Sequence, residues 1–112
     1  MTIKQLFDYV DEVRPNSYGT GTKLVWVSEI EGAVQTEVMG ICPADAKRYD
    51  GNTDLDTALL VEAPYAKLYA WYLIAMIDLV TMGDAAYENS QRVFQKFWNE
   101  YARWYLRTHR RT

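Results

Sequence analysis

Cysteine and histidine are almost missing from this chain of 112 residues, which has one of each, Cys42 and His109. A lone cysteine excludes a disulfide within the chain and leaves no CxxC pair to start a zinc site. It fits a reducing compartment. Gly-rich phosphate loops, a nucleophile elbow and an HExxH run are also lacking. His109 lies in the tail "RTHRRT", where a solvated role is expected. No apolar run is long enough to cross a membrane. Leu68–Met82 has 15 residues without Lys or Arg, whereas a span needs about 20 apolar residues. Asp78 interrupts this stretch, and Lys67 and Asp84 hem it in. The N-terminal "MTIKQLFDYVDEV" mixes acids with apolar residues and predicts no cleavable signal.

Aromatics, in contrast, are plentiful, with nine tyrosines and four tryptophans. The length and ordinary apolar share predict one domain over 1–112 with a modest core. The net charge of −3 hides an asymmetry. Residues 1–90 hold six Lys/Arg against fourteen Asp/Glu, a balance of −8, and residues 91–112 hold six against one, a balance of +5. An acidic body therefore ends in a basic segment. Such a segment suits a nucleic acid or an acidic protein surface, or it simply complements a helix C-terminus.

Periodicity predicts an all-α fold of four helices with an irregular middle loop. The first runs from about Thr2 to Arg14, with Ile3, Leu6, Phe7, Val10 and Val13 as its stripe. Thr2 with Gln5 reads as a capping box, and Pro15 as the stop. "NSYGTGT" reads as a mobile loop. The second helix runs from about Lys23 to Met39, with Gly32 marking a close contact and Gly40 ending it. Residues 41–61 read as irregular and residues 41–56 as mobile, with "ALLV" short and extended. The acids of "RYDGNTDLD" do not meet the spacing of a calcium loop, so no metal and no cofactor are expected. The third helix starts near Pro64 and ends at Gly83. It is apolar nearly all round, so it needs cover on every side. That makes Tyr69, Leu73 and Ile77 candidates for packing between subunits. Asp78, inside it, is a conceivable general base but is expected to pair with an Arg or a Tyr hydroxyl. The fourth helix, from about Asp84 or Ala85 to about Thr108, carries an aromatic stripe with arginines around it. At 1.5 Å per residue it is about 37 Å long, so its last turns are expected to outrun the core, leaving Trp104 and Tyr105 as apolar anchors.

The ordered motifs "LxWxxEIEGxVQxEV", "LLVxxPYxxLYxxYLxAxID", "GDxxYxN" and "FxxxYxxWYxRTH" cover most of the chain. Together with a "PN" loop after a short first helix, they make it resemble the small head–tail connector (adaptor, or head-completion) proteins of tailed bacteriophages and prophages, especially those of Gram-positive hosts. Residues 41–56 match nothing in that pattern. "MGDAAY" carries Asp84 and Ala86 where a Glu and a basic residue are expected.

The resemblance implies a structural virion protein with no catalytic residues. It implies self-assembly into a ring, usually of twelve subunits, beneath the portal, from subunits that are monomers or weak oligomers when free. The further partners it implies are the portal protein, the next neck or tail-completion protein and the packaged DNA in the channel. The location implied is the virion neck, and the host cytoplasm before assembly. On that basis Arg103, Trp104, Tyr105, Arg107, Arg110 and Arg111 are the expected portal-docking residues. The rival function is a DNA-binding module, such as a small terminase subunit or a helix-turn-helix regulator. It would need a basic recognition helix, and the second helix carries Glu29, Glu31 and Glu37 instead.

Overall fold

The structure, a computed structural model, describes residues 1–109. Its four α-helices are α1 (Ile3–Val13), α2 (Thr20–Ala33), α3 (Lys67–Thr81) and α4 (Asp84–Thr108). The fold is all-α. Among the described residues the strand-like pairing is a single antiparallel bridge between Thr2 and Ala58.

Every N–H at the start of α1 finds an acceptor, as a buried helix end requires. Ile3 and Lys4 donate to the Thr57 and Leu55 carbonyls at 3.1 and 2.9 Å. Gln5 N–H donates to Thr2 Oγ1 at 3.2 Å, and Thr2 N–H donates to Gln5 Oε1 at 2.9 Å. This is the expected capping box, and such caps contribute about 1 kcal/mol. The extended "ALLV" stretch thus lies along the N-terminus, with Leu59 and Val61 buried.

α2 starts three residues before the expected Lys23, because Thr20, Gly21 and Thr22 are wound into it. Asn16 Oδ1 accepts the Tyr18 N–H at 3.1 Å, and Tyr18 packs edge-on against Trp26. "NSYGTGT" is therefore half turn and half helix. After Ala33 the helix widens into a π turn over Val34–Val38, where Met39 N–H donates to the Val34 carbonyl at 3.1 Å. Thr36 Oγ1 donates to the Gly32 carbonyl at 2.9 Å, so a side chain competes for helix acceptors here. Gly40, at φ 72°, ends the run in the left-handed region that suits glycine. Gly32 does not mark a close approach, since a Cβ there would meet nothing within 4 Å.

α3 begins at Lys67 rather than near Pro64. Tyr65, Leu68 and Tyr69 N–H groups donate three residues back, to Glu62, Tyr65 and Ala66, so residues 62–66 form turns. α3 and α4 form an antiparallel hairpin about Gly83 (φ 93°). Along it, Asp78 meets Ser90, Tyr72 meets Phe94, and Tyr65 meets Tyr101. With α4 on one side and α1 and α2 on others, α3 is covered by its own chain. Tyr69, Leu73 and Ile77 are fully buried in that core, so they are not available to a neighbouring subunit. The greasy surplus emerges only at the end of α3, where Val80 and Met82 are each 65% exposed and Leu79 is partly exposed. No helix among the described residues is long and apolar enough to cross a membrane.

Candidate functional site

Two buried carboxylates organise the interior. Asp78 accepts a forked pair of bonds from Arg14, Nε at 2.8 Å and Nη2 at 3.1 Å, and a bond from Ser90 Oγ. It ties the end of α1 to the α3–α4 hairpin. Both its oxygens are engaged by side-chain donors of the chain itself, as expected for a buried acid that pairs with an arginine.

Glu31 is the second carboxylate. It is fully buried on α2 and accepts from the Tyr69 hydroxyl, from the Tyr49 hydroxyl at 2.9 Å and from the Leu60 N–H at 3.1 Å. Tyr69 Oη in turn accepts the Val61 N–H at 2.8 Å. Burial, then the charge of Glu31 and the bonds to it, push the Tyr69 and Tyr49 phenols far above their ordinary value. Both therefore remain neutral donors to the carboxylate.

Glu31 belongs to a polar stripe on α2. Ser28 Oγ donates to the Tyr49 carbonyl and accepts the Tyr49 N–H, both at 2.8 Å. Gln35 accepts the Lys47 N–H at 2.7 Å and donates to the Lys47 carbonyl at 3.1 Å. Spacings of three and four put Ser28, Glu31 and Gln35 on one face. That face holds Lys47 and Tyr49 where mobility was expected. Further on, Asp50 and Asp54 accept the backbone N–H groups of Asn52 and Asp56 at 2.8 and 2.9 Å. Their carboxylates thus close turns. Among the described residues no three His, Cys, Asp or Glu side chains gather around a possible metal position.

From the sequence, Glu31 counted with Glu29 and Glu37 only as making the second helix acidic. The signal lay in its register: Val27, Glu31, Val34 and Val38 follow at steps of four, three and four. A carboxylate on a core stripe asks for buried donors. Lys23 is a similar case, buried with Nζ 2.6 Å from Asp11 and lying over the Phe7 ring.

The last turns of α4 are built differently. Trp104 and Tyr105 are half-buried rather than projecting free. The hairpin lays Trp104 against Tyr65, with ring centroids 5.4 Å apart. Tyr101 joins the group, 5.8 Å from Trp104 and 6.1 Å from Tyr105. His109, expected to be solvated, stacks on Tyr105 at 3.8 Å with the rings 5° apart. A cavity of about 430 Å³ opens between these rings and the 62–65 turn, with Glu62 among the residues that line it. Burial first, then the charges of Tyr105, Glu31 and Glu62, push the Tyr101 phenol up to about 12. Arg103, Leu106 and Arg107 are exposed on the outer side. Arg110 and Arg111 lie outside the described residues.

A second concavity, of about 500 Å³, runs between α2 and residues 43–49, with Val25, Glu29, Gly32 and Arg48 on its walls. Val25 is 56% exposed there. No protein-family model, no curated protein and no solved structure matches this chain.

Proposed function

We propose that this chain is a structural protein of a tailed-phage neck. In this role it assembles as a ring below the portal and links the DNA-filled head to the tail or the next neck protein. The motif order along the sequence suggested this role. One structural observation supports it most: α4 separates two unlike surfaces by nearly its own length, about 37 Å. At its start, the exposed Val80 and Met82 make an apolar corner. At its end, Arg103 and Arg107 flank an aromatic wall. A ring subunit needs one surface for its neighbour and another for the next protein. The apolar corner takes the subunit contact first assigned to Tyr69, Leu73 and Ile77. The end of α4 takes the portal, with Trp104 and Tyr105 as half-buried anchors and Arg103 and Arg107 as charged rim.

A subunit that covers its own core is folded before it assembles, so it is a monomer or weak oligomer when free. Its role is mechanical, with no chemical step. The test is sedimentation of the free protein, followed by negative-stain microscopy with and without the cognate portal. Monomers that join the portal as a ring are the expected outcome. Failure to bind portal, together with steeply salt-dependent DNA binding, would establish the rival DNA-binding function instead.

A further inference from the structure

We infer that the cavity between the last turns of α4 and the 62–65 turn is a pocket for an arginine side chain of a partner protein. This deepens the docking role proposed for the end of α4 and rests on it only in assuming that a protein docks there. The pocket combines a wall of aromatic rings with one carboxylate at its rim. Tyr65, Tyr101 and Trp104 stand with centroids 5.4 to 5.9 Å apart. Trp104 is tilted by only 31° from Tyr101 and 35° from Tyr65. The half-buried Trp104 indole is the central face of this wall, with Tyr65 and Tyr101, themselves 56° apart, packed against it. A quaternary ammonium group prefers a box of rings set around it, and a planar guanidinium prefers a flat face. The chain already uses this surface for a planar nitrogen ring, the His109 imidazole on Tyr105.

Glu62 supplies the charge. Its side chain is exposed and lines the same cavity. Among the described residues the ion pairs are Arg14–Asp78 and Lys23–Asp11, and neither engages Glu62. A guanidinium lying on the half-buried Trp104 donates to Glu62 from its edge, whereas a lysine ammonium has no flat face to stack. Among the described residues no Lys or Arg lines the cavity, so Glu62 favours a cationic visitor over an acidic one.

The probe is the blocked tripeptide acetyl-Gly-Arg-Gly-amide, titrated into the full chain while the Trp104 indole N–H is followed by NMR. The Trp104→Phe variant assigns that signal. Saturable millimolar binding is expected, with the Lys tripeptide weaker by about threefold and Glu62→Gln weakening the Arg tripeptide by about two- to fivefold. Glu62 is exposed, so its substitution leaves the fold intact and keeps the test decisive. An unmoved Trp104 signal, or equal shifts with acetyl-Gly-Gly-Gly-amide, overturns the pocket. Binding seen only after removal of residues 110–112 overturns the partner assignment in favour of the chain's own Arg110 or Arg111. No portal is present in this titration. Tripeptide binding without portal binding therefore refutes the neck function alone, and portal binding without tripeptide binding refutes the pocket alone.

Discussion

The junction around Glu31 and the last turns of α4 are both rich in tyrosine, but they use their polar groups in opposite ways. At Glu31 two hydroxyls and an N–H converge on one carboxylate, and nothing is left over for a partner. At the end of α4 the rings pack on one another, while Glu62, Arg103 and Arg107 face solvent. The first region is closed chemistry that fixes where the middle segment lies. The second leaves charged side chains and ring faces unsatisfied within the chain, which is why we propose it as a docking surface. Substitutions in the first region should therefore act on stability, and substitutions in the second on partners.

The largest effect is expected from Glu31→Ala. It leaves two buried hydroxyls and the Leu60 N–H without their acceptor, a loss of about 3 kcal/mol or more. Urea unfolding measures it. Tyr69→Phe removes one donor and keeps the ring, so it should cost less, about 1–2 kcal/mol. If Glu31→Ala falls within the error of wild type, the junction is not what holds residues 47–61 in place.

Asp78→Ala should come next, at about 2 kcal/mol. The cost is smaller because the Arg14 side chain is 35% exposed and can turn toward water once its partner is gone. The double variant Arg14→Ala with Asp78→Ala should cost less than the sum of the two single variants. Strict additivity would show that the forked pair adds nothing beyond its separate halves.

Alkali should separate the two regions as well. Tyr69, Tyr49, Tyr72 and Tyr101 all titrate higher in the folded chain than the ordinary phenol value of about 10. A raised folded value favours the protonated folded form. The stabilisation is therefore fully present below pH 10 and is lost as pH rises through the folded values, from about pH 10 to 12 for Tyr101. Stability should be flat from pH 7 to 9 and then fall, with Tyr69→Phe flattening the fall most. A fall that begins near pH 8 would point away from the tyrosines.

Much of this was legible in the sequence, and the misses share a cause. The capping residues of α1 and the bounds of α4 follow from local patterns that the structure keeps, Thr2 with Gln5 and Asp84 after Gly83. The start of α2 was not legible. "TGT" carries weak helix formers, and the chain before it is fixed by contacts to Asn16 and Trp26 that a local pattern does not reveal. The middle segment was misread because a run without apolar periodicity looks loose. What anchors it is polar: Ser28, Glu31 and Gln35, far away in sequence. The cover over Tyr69, Leu73 and Ile77 was underestimated for a related reason. The apolar stripes of α1 and α2, the buried Leu59 and Val61 of the middle segment and Phe94 and Tyr101 of α4 all converge on this one core, which no single stripe shows in the sequence.

The smallest effect on stability, and the sharpest on partners, is expected from Arg103→Glu with Arg107→Glu. Both side chains are exposed and neither has an ion-pair partner among the described residues, so the urea midpoint should not move. If the end of α4 docks on the portal, the pair sits at the rim of that contact, and reversing two rim charges slows association and weakens binding by about tenfold or more. Trp104→Ala should weaken binding at least as much, because it removes the wall itself. It should also lower stability, since Trp104 supports Tyr65 and Tyr101. Contact with channel DNA predicts a different ranking. The arginine pair would then matter more than Trp104, and the loss would shrink as salt rises, because phosphate contacts are the ones that salt weakens. Measuring portal affinity for both variants at low and high salt decides between the two. An arginine effect that vanishes at high salt while Trp104→Ala binds portal like wild type would remove the portal from the end of α4.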